Sequence, residues 1–213
     1  LQKRKRGAAD ISDYIELQNL VAQIVKLKPH KYNVQNEKKQ CRDRALLALL
    51  AATGLRISEA LSIETRMFNL TGYTGFIVIE GVQILKRWNR RYEVNPETKK
   101  KKCVEKWRQN IKKDFPLPKT GVLKPVTDLI MAQYRAVKKG RLIDLRRRQA
   151  YEIVNEMTGK WCHYFRSQRI SYLVHKIRGT VPVADIMGIK APQTIAHYYK
   201  GKWREYEEEM KGD

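Results

Sequence analysis

The chain is poor in the groups from which metal centres and disulfide frameworks are built. Its 213 residues include three cysteines, Cys41, Cys103 and Cys162, widely spaced and odd in number. They form no CxxC pair and no zinc-type spacing. We read them as reduced thiols in a cytosolic setting, which places the chain in the cytoplasm of a host cell. The four histidines form neither HxxxH nor HExxH, so we expect no metal and no cofactor. No apolar run approaches the roughly 18 residues that a membrane-spanning helix needs. No signal-peptide pattern is present, and we expect no membrane partner.

Acidic residues are also scarce. Asp and Glu total 22 against 44 Lys and Arg, a formal net charge of +22. Self-repulsion on that scale disfavours a compact state unless a polyanion neutralises it. By charge alone a nucleic acid, such as double-stranded DNA, is the first candidate partner, because neutralised phosphates release counterions, and an anionic membrane surface is the second. Hydrophobic residues make up 42% and run through the whole length, enough for one packed domain.

Along the chain, residues 1–10 carry Lys3-Arg4-Lys5-Arg6 and read as a basic arm or linker end. The chain opens on Leu1, and we expect an N-terminal DNA-binding domain to precede it. Helices are expected at 12–27, 36–52 and 57–63. The second is nearly all apolar from Ala45 to Ala52 and should be buried on most sides. The period then changes. Residues 76–79, 83–85 and 92–94 read as three short strands of a small antiparallel sheet, with a turn at 86–91. Residues 97–113 read as a lysine-rich helix, and 114–125 as a loop holding three prolines. Helices follow at 126–138, 142–157, 163–176, 182–188 and 192–199, with a charged tail helix last. The layout is mainly α with a small antiparallel three-stranded sheet.

Three constellations carry chemistry. In Thr53-Gly54-Leu55-Arg56-Ile57-Ser58-Glu59, a glycine turn delivers Arg56 to the start of a helix. A guanidinium there can hold a phosphate by paired hydrogen bonds. A capped surface helix with an i,i+3 ion pair to Glu59 would read the same way. In His163-Tyr164-Phe165-Arg166, the spacing of three puts a candidate proton acceptor and a cation on one helical face. Two solvated basic residues would also fit. The third stretch runs from Gly188-Ile189-Lys190 to His197-Tyr198-Tyr199. A phenol becomes a nucleophile when cations line the phosphate it attacks and a base stands close. Paired tyrosines also occur as simple packing.

Taken in order, TGLRxSE, then HxxR, then a tyrosine 32 residues beyond the second arginine resemble the tyrosine recombinase family. The resemblance covers roughly residues 36–211. The tyrosine pair beside a basic residue resembles the integrases of archaeal plasmids and viruses. The resemblance implies the catalytic-domain fold of that family over residues 11–213, and site-specific DNA recombination, integration or excision, through a 3′-phosphotyrosine intermediate. It implies that Arg56 and Arg166 clamp the scissile phosphate, that His163 is a base or phosphate ligand, and that Glu59 supports the first box. Tyr198 is implied as nucleophile, with Tyr199 its rival. A lysine in a β-hairpin turn is implied as general acid on the leaving 5′ oxygen. Lys86 fits best, with Arg87, Arg90 and Arg91 in the same turn. The family has His or Trp nine residues before the nucleophile, and Ile189 stands there instead, with Lys190 or His197 as substitutes. Lys99, Lys100, Lys101 and Lys102, together with Arg146, Arg147 and Arg148, are expected to contact DNA. The tail at 201–211 resembles a helix exchanged between subunits, so assembly on DNA as a homo-oligomer, a tetrameric synapse, is expected. Two other readings share these residues. One is DNA relaxation of the type IB topoisomerase kind, and the other is a DNA-binding module without catalysis.

Overall fold

The computed structural model describes residues 14–85, 88–99, 101–108, 110–177, 179–189 and 192–196. Its centre is α2 (Glu37–Thr53). The Asn36 side chain caps this helix by accepting from the Lys39 backbone N–H at 3.0 Å. From Ala45 to Thr53 every residue of α2 is buried, as an unbroken apolar run requires. The helices α1 (Tyr14–Lys26), α4 (Lys124–Ala136) and α6 (Cys162–Ile177) pack around it, and α5 (Arg147–Thr158) closes one side. The short α3 (Ile57–Ala60) follows α2 directly. The last two helices are α7 (Thr180–Ile186) and α8 (Gln193–Ala196). With the second half of α6 they enclose a smaller core of Ile170, Leu173, Val174, Val183, Ala184, Met187 and Ile195.

Two Thr-Gly pairs end helices by one device. Gly54 and Gly159 both take φ 65 and return their N–H groups to Leu50 and Asn155. Thr53 Oγ1 and Thr158 Oγ1 bond the carbonyls of Leu49 and Val154, then accept from Leu55 and Lys160 N–H. The chain direction after α2 is therefore fixed by side-chain as well as backbone bonds. That matters because Arg56 is two residues away.

The strands differ from the sequence expectation. They are β1 (Phe68–Asn69), β2 (Phe76–Gln83), β3 (Trp88–Val94), β4 (Lys101–Arg108) and β5 (Lys112–Pro118). A three-stranded antiparallel sheet exists, but its order is β1-β2-β5, and β3 and β4 form a separate two-stranded ribbon. Within residues 97–113, Lys101–Arg108 and the first two residues of β5 are thus strand, not helix, and residues 114–118 are strand, not loop. The turn expected at 86–91 lies instead between Val94 and Lys101. There Asn95 Oδ1 accepts from the N–H groups of Glu97 and Thr98, and Lys99 N–H bonds the Asn95 carbonyl. The physical reason is exposure. Every described side chain from Arg91 to Glu105 is exposed, so neither strand needs an apolar face to declare its period. Lysines that favour a helix in isolation are held extended by the ladder across the ribbon.

Candidate functional site

The site is built around Glu59, a carboxylate with no exposure to solvent. A buried charge of this kind must be surrounded by donors. Glu59 Oε2 accepts the backbone N–H of Arg56 at 2.9 Å, and Oε1 accepts Arg56 Nη1 at 2.9 Å. The same Oε1 accepts the backbone N–H of Leu85 at 3.1 Å. Glu59 therefore orients the arginine of the first box and also holds Leu85, two residues beyond β2 and one before Lys86. The sequence shows the i,i+3 partner of Arg56. It gives no sign of the bond to Leu85, which links residues 26 apart.

Arg166 lies on α6 and is 2% exposed. Its Nη1 donates to the Gly54 carbonyl at 2.8 Å and its Nη2 to the Met187 carbonyl at 2.9 Å. The two bonds set the plane of the guanidinium. They also tie three distant segments together: the turn ahead of Arg56, the middle of α6 and the end of α7. His163 stands one turn before Arg166 and is exposed, with its carbonyl accepting from Ser167 Oγ at 3.1 Å. The HxxR pair is thus divided between a surface residue and a buried one.

Gly54 is closely seated. A Cβ there would meet Met187 Cε at 2.7 Å and Arg169 Cβ at 2.9 Å. Arg169 is buried on α6, with its guanidinium 5.3 Å from the centre of the Tyr172 ring. Its Nη1 has no hydrogen-bond partner among the described residues, and burial pushes its pKa down to about 10. Gly54→Ala combines a left-handed alanine, costing about 1 kcal/mol, with overpacking worth about 1–3 kcal/mol. We expect a loss of at least about 2 kcal/mol, read as a thermal midpoint lowered by roughly 4–8 °C. An unchanged midpoint would mean that the seat is not tight.

Gly188 closes the opposite wall. It has φ 61, and a Cβ there would stand 3.2 Å from Cγ1 of buried Ile84. Ile189 follows, half-buried against the smaller core, and its N–H bonds the Ala184 carbonyl at 2.7 Å. Ile189 therefore packs, and offers no side-chain hydrogen bond. Lys113 Nζ, from β5, pairs with Asp185 on α7 beside this loop. Residues 84 and 85 are accordingly held from two sides, by Gly188 and by Glu59. Lys86, Arg87, Lys100, Lys190, His197, Tyr198, Tyr199 and the tail at 201–211 lie outside the described residues, as does the arm at 1–10. Ile195, three residues before Tyr198, is fully buried.

The second arginine run lies close to the first box. Arg146 and Arg147 line an open cleft of about 710 Å³ with Ser58, Ser62 and Arg141, which the sequence reading passed over. Arg147 stacks on Tyr151 at 5.5 Å, and Arg148 pairs with Glu152 at 2.9 Å on the exposed side of α5. On the ribbon, Arg91 stands opposite Glu105 and Lys102 opposite Glu93, while Lys101 stands opposite Val94. Arg90 is opposite Lys106, and Lys99 lies in the turn with φ 54. A larger cavity, about 770 Å³ between the ends of α1 and α5, contains none of the candidate site residues. Among the described residues, no three His, Cys, Asp or Glu gather as a metal group, and no helix is long and apolar enough to cross a membrane.

No protein-family model and no curated protein matches the sequence. Solved structures do. The post-cleavage complex of the XerH site-specific recombinase with a palindromic difH substrate matches with a TM-score of 0.62 at 17% identity, over 93% of this chain and 51% of that one. The XerH pre-cleavage complex matches with a TM-score of 0.55 at 17% identity. The Tn1549 transposon integrase in complex with transposon right end DNA gives 0.55 at 13% identity, over 99% of this chain and 68% of that one. The chain spans about half the length of the XerH chain it matches. These neighbours are tyrosine recombinases, and this chain shares the fold of their catalytic domains.

Proposed function

We propose that the chain cuts and rejoins DNA as a site-specific tyrosine recombinase. The observation that carries this reading is the bond from Arg166 to the Gly54 carbonyl. It brings two arginine motifs, 110 residues apart in sequence, to the same turn, in a fold shared with XerH and the Tn1549 integrase. Structural packing alone would not call for two arginines, one at a helix start and one buried, around a single glycine turn.

In the proposed reaction the two guanidiniums hold the non-bridging oxygens of one phosphate and stabilise the charge that builds on them. The Tyr198 hydroxyl attacks phosphorus, and its proton passes to a base, for which His163 is placed one turn from Arg166. The bond from phosphorus to the 5′ oxygen breaks, and Lys86 gives that oxygen a proton. The products are a 3′-phosphotyrosine and a free 5′-hydroxyl. A 5′-hydroxyl from a partner strand then attacks the same phosphorus, the bond from phosphorus to the Tyr198 oxygen breaks, the tyrosine regains its proton, and the phosphodiester is rebuilt without an outside energy source. Glu59 acts through others, as the positioning residue for Arg56 and for the segment carrying Lys86. Arg146 and Arg147, with Arg141, supply flanking phosphate contacts along the cleft beside Ser58, and Arg148 adds one from the exposed side of α5. The working form is a homo-oligomer on DNA, with the tail at 201–211 exchanged between copies, in the cytoplasm of a host cell.

The arginines test this reading. Arg56→Ala and Arg166→Ala should each slow single-turnover cleavage of a duplex by on the order of 100-fold or more, because each removes a donor aimed at the transition state. Arg166→Lys should not restore the rate, since an ammonium cannot reproduce two carbonyl bonds in one plane. Near-normal cleavage by Arg56→Ala or Arg166→Ala would remove that arginine from the mechanism.

A further inference from the structure

Arg169 is a buried cation that the proposed reaction leaves unused. It lies on α6, 8% exposed, and its Nη1 reaches no hydrogen-bond partner among the described residues. The groups that face it come from three elements. Tyr172, also on α6, sets its ring 5.3 Å from the guanidinium. Lys113 and Asp114 of β5 and Asp185 of α7 share with Arg169 the lining of a cavity of about 260 Å³. Neither carboxylate is its partner. Asp185 pairs with Lys113, and Asp114 Oδ1 accepts the Gly81 N–H at 2.8 Å. The surrounding sequence offers no other, since no Asp or Glu occurs between Glu156 and Asp185. Burial pushes the pKa of Arg169 down to about 10, which leaves it charged at neutral pH.

A buried cation without a counter-ion destabilises the fold that holds it. Packing does not call for it. The parts of Arg169 that close on Gly54 are Cβ and Cγ, 2.9 and 3.0 Å from where a Cβ there would stand. Methionine carries both atoms on an unbranched chain and would fill the same seat without a charge. The guanidinium therefore needs a reason outside folding, and its position supplies one. Arg166 stands three residues earlier on α6, and side chains three apart on a helix are neighbours. Arg166 Nη1 bonds the Gly54 carbonyl at 2.8 Å, while the stem of Arg169 packs on the same glycine. The two arginines flank one turn.

We propose that Arg169 is a third cation of the phosphate site, one that stabilises the charge building on the phosphate through the protein interior without touching DNA. The proposal rests on the reading of the site as one that cuts DNA. The counter-ion that the fold lacks is then the reacting phosphate. When the tyrosine oxygen joins phosphorus and its proton leaves to a base, one further negative charge settles on the phosphate oxygens. A fixed cation about 10 Å away, at an effective dielectric of about 20, favours that charge by on the order of 10-fold.

The test compares Arg169→Met and Arg169→Lys with the unaltered chain, on a duplex that the unaltered chain cleaves. Arg169→Met keeps the stem and loses the charge. It should melt at or above the temperature of the unaltered chain, yet cleave roughly 10-fold more slowly in single turnover. Its slope of log affinity against log salt should change by less than about half a unit, because a buried group neutralises no phosphate directly. Arg169→Lys keeps a charge, on a group that burial makes titrate below its ordinary range. The ratio of its rate to that of the unaltered chain should fall towards the methionine level as pH rises through the lysine pKa. A packing role would produce no such titration. Normal cleavage by Arg169→Met overturns the proposal, as does a lysine variant no faster than the methionine variant at any pH. A methionine variant that loses rate and thermal midpoint together shows a residue that only packs. A salt slope lowered by about one unit shows direct contact with DNA, and the proposal is again wrong. If the unaltered chain cleaves no duplex, the reading of the site itself fails and this inference goes with it.

Discussion

Tyr198→Phe should bind duplex DNA as the unaltered chain does and form no covalent adduct with it. The substitution keeps the ring and removes only the oxygen that would join phosphorus. The choice of Tyr198 over its neighbour rests on what precedes it. Gly188 is fixed against Ile84, and Ile195 is buried in the smaller core. The preference for Tyr198 comes from its spacing, ten residues after Gly188 and 32 after Arg166. Tyr199→Phe should retain cleavage. A dead Tyr199→Phe with an active Tyr198→Phe would move the nucleophile by one residue and leave the rest of the mechanism standing. Two dead variants would make the pair act together. An adduct formed by the double variant would rule out both tyrosines.

Lys86→Ala should slow cleavage by roughly 100-fold to 10,000-fold, the range for loss of a positioned general acid. A duplex with sulfur in place of the bridging 5′ oxygen provides the control. A thiolate leaves without needing a proton, so this substrate should recover most of the rate in Lys86→Ala and little in Arg56→Ala. The Leu85 N–H to Glu59 bond sharpens the prediction. Glu59→Gln keeps an acceptor at Oε1 and should lower the rate on both substrates, because it disturbs Arg56 as well as Lys86. If the sulfur substrate fails to rescue Lys86→Ala, the proton comes from elsewhere, with Arg87 and Arg90 next in line.

The helices were legible because their burial is one-sided or complete. The run from Ala45 to Ala52 has no polar face and lies at the centre, and both Thr-Gly pairs stop helices where expected. The first box was legible as a turn followed by a helix start, and Arg56 does occupy the N-cap of α3. The ribbon was not. A strand exposed on both faces has no hydrophobic alternation to detect, and Lys99 to Lys102 read as helix formers. The Asn95-Pro96 pair was the available signal, since Asn-Pro marks turns. It would have moved the hairpin turn nine residues along and taken Lys86 out of it.

Long-range convergence was legible only as motif order. Nothing in the sequence indicates that Arg166 would be buried against two carbonyls while His163 stays at the surface, or that Glu59 would reach Leu85. Arg169 was missed for a related reason. Three residues after Arg166 on a basic helix, it reads as solvated. Yet its stem seats Gly54, and its guanidinium lies buried over Tyr172.

The central claim is that a tyrosine of this chain becomes joined to DNA. The direct measurement uses a duplex nicked so that the short 5′-hydroxyl fragment diffuses away after cleavage, trapping the intermediate. After denaturation and digestion, the peptide carrying nucleotide is identified by mass spectrometry. The account predicts an adduct on Tyr198, joined through a 3′-phosphate, with a free 5′-hydroxyl on the released fragment. A salt-sensitive complex that leaves no covalent adduct, or an adduct through a 5′-phosphate, would contradict it.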